Sequence, residues 1–181
     1  MTEQQRGRRA IEVGPTGKTV ATNLGRLRER RGLTTRQLSA LLERQGRSIP
    51  PSGITRMEKG ERVVTADELV ALAVAFGVSP SALLLPLTDS PSDPVDVTGY
   101  GPVPAKDAWK WANGERPLKF TSGKERSEMV EHQLYGQPQW LWPTGGDVSE
   151  VNARLRELGF PVDEWVREAF LSEPPQEGDD G

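Results

Sequence analysis

The sequence predicts an all-α domain of five short helices, followed by a linker and a weakly structured, partly helical C-terminal region. Three observations predict it. Between Thr19 and Pro86 the apolar residues recur at helical spacing. Ser/Thr residues with Glu or Gln three positions on open two of these stretches, and a glycine closes four of them. Beyond Pro86 the chain turns to Pro, Gly, Ser and Asp, and then to amphipathic pieces too short to fold singly.

The first helix is read in TVATNLGRLRERRG, where Val20, Leu24 and Leu27 repeat at i, i+4 and i+7 and Gly32 stands at the C-cap. The second, TTRQLSALLERQG, opens on a Thr34/Gln37 capping box and carries Leu38, Leu41 and Leu42 on one face before Gly46. In the third, from IPPSGITRMEKG, prolines suit the loop end and first helical position, Ile54 and Met57 are three apart, and Gly60 closes a short segment. The fourth, TADELVALAVAFG, repeats the box with Thr65 and Glu68, lines up Leu69, Leu72, Ala73 and Phe76, and stops at Gly77. A last turn, SPSALLL, starts from Ser79 as N-cap with Pro80 at the first position and ends before Pro86.

Composition excludes several function classes. The 181 residues contain no cysteine and one histidine, His132. Disulfides, thiolate metal sites, multi-histidine metal sites and most hydrolase triads are thereby removed. No HExxH metal motif occurs, so no catalytic residue, metal ligand or cofactor is expected. No run approaches the roughly 18 apolar residues of a membrane span, and the N-terminus has no apolar signal core. The expectation is a cytoplasmic protein that is not an enzyme and has no membrane partner.

Charge divides the chain. The net charge of -3 conceals +8 over residues 1–64 and -11 over residues 65–181. A basic N-terminal part points to a polyanionic partner. VGPTGKT, residues 13–19, resembles a phosphate loop, but the spacing G-x-x-x-x-G-K-[ST] requires glycine at position 12, where Glu12 stands. Residues 1–18 read instead as a flexible basic arm.

The stretches LRERRGLTTRQLS, SGITRMEKGERVV and LVALAVAFGVSPSALL, in that order, resemble the helix-turn-helix domain of lambdoid phage repressors and Cro, the XRE family. The resemblance covers residues 19–86 and is carried most specifically by ITRMEKG and GVSPSALL. It implies a five-helix repressor-like fold that reads double-stranded DNA with its third helix. Carried over by motif position, it implies base contacts from Pro51, Ser52, Thr55 and Arg56, and phosphate contacts from Thr35, Arg36, Lys59 and Arg62. Arg28 of the first helix is expected to pair with Glu58, a structural ion pair behind the reading helix. Arg6, Arg8 and Arg9 of the arm are candidates for DNA contact or for solvation. One departure stands out: Leu38 to Ile49 spans eleven positions, about five more than the family uses, so the second helix is longer or the turn is larger.

Residues 87–105 read as a linker, 106–171 as a Trp-containing, partly helical region suited to oligomerisation or partner docking, and 172–181 as an acidic disordered tail. Within 106–171, AKDAWKWANG, KERSEMVEHQLYG, DVSEVNARLRELG and VDEWVREAF are the helical pieces. The expected function is a sequence-specific DNA-binding transcriptional regulator of the repressor type, a homodimer on DNA. The alternative is an antitoxin-like or adapter module whose C-terminal half docks a protein partner.

Overall fold

The computed structural model describes residues 13–141. It divides into a first unit ending at Trp109 and a second beginning at Lys110. The first unit contains α1 (Pro15–Arg30), α2 (Thr35–Arg44), α3 (Pro51–Glu58), α4 (Ala66–Phe76) and α5 (Ser81–Leu84), then a hairpin of β1 (Pro94–Val97) and β2 (Gly101–Pro104). Helix α6 (Ala105–Ala112) spans the boundary. The second unit holds α7 (Glu125–Gly136) and a 3-10 turn, Gln139–Leu141.

The five helices follow the caps. Thr34 accepts from Gln37 N while the Gln37 side chain accepts from Thr34 N, and Thr65 and Glu68 do the same at α4. Each box satisfies two amide donors that the first turn of a helix leaves without partners. Gly32, Gly46, Gly60 and Gly77 all have φ between 63° and 81°, the left-handed conformation that ends the four longer helices of this domain. After α1, for example, Leu33 N reaches back to Arg28 O at 3.0 Å, and after α2 Arg47 N reaches Leu42 O at 2.9 Å.

Packing supplies what such short helices lack on their own. Leu24, Leu38, Leu42, Ile54, Met57, Leu72, Phe76 and Leu83 form one buried cluster to which all five helices contribute. Asn23 is one of the buried polar residues of this domain, 3% exposed. Its Nδ2 donates to the carbonyls of Leu83 (3.1 Å) and Leu85 (2.8 Å), which closes the end of α5, and its Oδ1 accepts from Arg26. Arg31, at the end of α1, donates to Phe76 O at 2.5 Å and fastens the end of α4.

Two expectations are corrected. Helix α1 begins at Pro15, with Gly14 as N-cap and Pro at the first position, so PTGK is helix rather than the end of an arm. The all-α reading fails at residues 94–104, inside the stretch read as linker, where the antiparallel register pairs Val95 with Val103 and Val97 with Gly101. Val95, Val97 and Val103 are buried and Asp96 is exposed. Pro94, Pro102 and Pro104 are compatible with pairing because both strands of a two-stranded sheet are edges. The hairpin lies on α1: Thr98 N donates to Thr16 Oγ1 (3.1 Å) and Thr16 N to Thr98 Oγ1 (3.2 Å).

Helices α6 and α7 fall on AKDAWKWANG and KERSEMVEHQLYG. Trp109 Nε1 donates to Pro86 O at 3.4 Å. In the second unit His132 Nε2 donates to Gly114 O at 3.2 Å. The helical pieces expected in 147–170, the tail 172–181 and most of the arm lie outside the described residues.

Asn23→Ala leaves two buried carbonyls without a donor. Its unfolding free energy from urea titration should fall by about 2 kcal/mol, the cost of stranding buried polar groups.

Candidate nucleic-acid interface

Helix α3 has one polar side. Ser52, Arg56 and Lys59, spaced i, i+4, i+7, are exposed, while Gly53, Ile54 and Met57 face inward. Pro51 and Thr55 border the polar side, half-buried, and Thr55 Oγ1 donates back to Pro51 O at 3.0 Å. At the start of α2, Thr35 is half-buried and Arg36 is exposed. Arg6, Arg8 and Arg9 lie outside the described residues.

The turn between α2 and α3 absorbs the extra residues in both ways that sequence left open. Helix α2 runs on to Arg44, and six residues, 45–50, then lead to α3. The turn is well fastened. Ile49 is 1% exposed, and its carbonyl accepts from Ser39 Oγ at 2.7 Å. Gln45, Gly46, Ser48 and Pro50 are exposed on its outside, and Arg44 and Arg47 add two cations absent from the expected contacts. Arg47 stands 3.9 Å from Asp67, whose side chain is 82% exposed, a separation at which solvent leaves little attraction. The only sequence signal for these residues was the length of the turn.

Arg28 and Glu58 meet in a two-pronged pair. Arg28 Nε donates to Glu58 Oε1 at 2.6 Å and Nη2 to Oε2 at 3.1 Å, with each side chain about one-sixth exposed, 16% and 15%. Nη1 donates to Leu33 O at 2.9 Å, and Nη2 also reaches Glu29 Oε1 at 3.4 Å. The hydrogen bond to Glu58 is the main reason the guanidinium is still harder to deprotonate than usual.

Arg62, expected as a phosphate contact, is fastened to the start of α4. Its Nη2 donates to Glu68 Oε1 at 2.6 Å, and Glu68 is only 4% exposed. Glu68 Oε2 accepts from Thr65 N at 3.0 Å as part of the capping box. Burial pushes the Glu68 carboxyl upward, but the hydrogen bonds from Thr65 and Arg62 outweigh it and leave the group below the ordinary glutamate value. Arg62 thus secures the start of α4.

The segment 20–85 matches the family described as "Helix-turn-helix domain". Residues 20–85 form a helix-turn-helix domain. No curated protein and no solved structure matches the chain. A helix-turn-helix domain points to DNA binding and, with it, to transcriptional regulation. Among the described residues no cluster of three or more His, Cys, Asp or Glu could hold a metal ion, and no helix is long and apolar enough to cross a membrane.

Two outcomes test these pairs. Glu58→Ala should cost about 3 kcal/mol because it removes both carboxylate bonds from a largely buried guanidinium and leaves it only Leu33 O and the exposed Glu29, whereas Arg28→Met combined with Glu58→Leu should recover most of that loss. A double-mutant cycle in urea measures the difference. For Glu68, whose folded pKa is depressed, the contribution to stability is complete above its unfolded value of about 4.3 and disappears as pH falls through the lower folded value. Urea midpoints measured from pH 7 to pH 2.5 should decline over that acid range, and Glu68→Gln should flatten the decline.

Proposed function

We propose that the chain is a sequence-specific DNA-binding transcriptional regulator of the bacterial or phage repressor type, acting in the cytoplasm as a homodimer on a two-fold operator. The observation that carries this reading is the exposed side of α3, where Ser52, Arg56 and Lys59 stand opposite buried Ile54 and Met57. The net charge of +8 over residues 1–64 supports it, since phosphate neutralisation supplies much of the affinity for DNA. The five-helix order and the ITRMEKG ending of the reading helix support membership of the XRE family.

The roles follow from chemistry and position. Arg56 is the base reader, because a guanidinium can pair with both O6 and N7 of guanine. Ser52 and Thr55 contact base edges or phosphate, and Pro51 stands at the leading end. Thr35, Arg36 and Lys59 grip phosphates, which fixes register without reading sequence. Arg62, held by Glu68, contributes through the placement of α4. One short reading helix specifies few base pairs, so two copies on related half-sites are needed for a unique operator.

A second reading has its own observation. Tyr135, Trp140 and Leu141 in the second unit are 63%, 80% and 53% exposed, and apolar exposure of this kind suits a protein partner. In that reading the chain is an adapter or antitoxin-like module.

Selection of the full-length protein on a random duplex library separates the two. Under the regulator reading one motif is enriched, and affinity falls with salt by about 0.9 log units per phosphate contact. Arg56→Ala should then cost about 1–3 kcal/mol and relax one base position. If no motif is enriched, the adapter reading takes its place.

A further inference from the structure

The leading end of α3 is made of two prolines. Pro50 is the N-cap and Pro51 the first helical residue, and Pro50 is exposed. Neither has a backbone N–H, so the two leading positions of the helix present hydrocarbon and no amide donor. The N-cap also lacks a side-chain hydrogen bond. The end that leads a reading helix into a groove is therefore poor in the polar groups that usually read base edges there.

The Pro50 ring is held in place. It follows Ile49, which is buried, and lies over Gly53, where an added Cβ would stand 3.4 Å from Pro50 Cγ and 3.4 Å from Ile49 Cγ2. Pro50 and Pro51 form a fixed apolar tip with Ser52 beside it and Arg56 one turn further along the same helix.

In the major groove the apolar feature of the bases is the C5-methyl group of thymine. We propose that Pro50 and Pro51 read a thymine methyl at the leading edge of each half-site, so that specificity at this position comes from an apolar contact. This rests on the DNA-binding reading above and names one position of the site it implies. The basic surroundings hold the duplex, and the tip distinguishes T from C by the methyl group that C lacks.

The test uses full-length protein and the duplex enriched by selection. Each thymine is replaced in turn by deoxyuridine, which removes the methyl and leaves pairing intact. One thymine of each half-site should respond, with affinity about fourfold weaker per substitution, the effect of one methyl-sized apolar group. In the variant carrying Pro50→Ser and Pro51→Ala the thymine and deoxyuridine duplexes should bind equally. Serine is a favourable N-cap and alanine a favourable helix residue, so this variant keeps α3, and its melting curve confirms that. Arg56→Ala should keep the deoxyuridine penalty while losing its own base preference. The inference is overturned if no thymine responds, or if the penalty is unchanged in the double variant. Enrichment of no sequence at all overturns the DNA-binding reading together with it.

Discussion

The Arg28 guanidinium is the constraint on which the arrangement of the first three helices depends. It joins α1 to the end of α3 through both oxygens of Glu58 and to the start of α2 through the Leu33 carbonyl. The backbone of Arg28 takes part as well, since its carbonyl accepts from Leu33 N. One residue therefore fixes the turn into α2 from two sides while setting the far end of the reading helix. Lysine could not take its place, because a single ammonium cannot match both carboxylate oxygens and a carbonyl in one plane. The pair brings little net stability compared with an apolar substitute, but with one partner missing the other is stranded. Its value lies in orientation: the Glu58 carboxylate is neutralised and turned toward the helix behind α3.

What was legible in the sequence was local. The Thr34/Gln37 and Thr65/Glu68 boxes, the four glycine stops and the leucine faces each lie within a few residues, and each appears where spacing placed it. Two kinds of feature were hidden. The hairpin was masked by its prolines, which made 87–105 read as linker although Val95, Val97 and Val103 already alternated with polar or turn residues. Its seat on α1, through Thr16 and Thr98, joins residues 82 apart and leaves no local trace. The partner of Arg62 was hidden for another reason. Read alone, an arginine after a reading helix is a cation near phosphate, and only the fold shows Glu68, already a capping residue, buried beside it.

Of the candidate interface, α3 was legible because burial of Ile54 and Met57 determines which of its neighbours must face out. The contribution of the enlarged turn was not, because length alone does not say whether added residues are loose or fastened. The structure fastens them. Gly46 ends α2 in a left-handed conformation, Ile49 enters the core, and Ser39 holds the Ile49 carbonyl one residue before Pro50.

This fastening separates the two jobs of the turn. Ile49 and the Ser39 bond anchor α3 from within, as Met57 and the Arg28–Glu58 pair do at its other end, so the helix is held at both termini despite being eight residues long. The residues outside that anchor, Arg47, Ser48 and Pro50, are then free to be chosen for what they display rather than for what they support. A rigid ring at the tip loses little freedom on contact, whereas a long polar side chain in its place would have to be ordered at each binding event. What the structure orders in advance is the backbone of α3 at both ends and the ring at its tip, which leaves the exposed Arg56 and Lys59 side chains as its adaptable part.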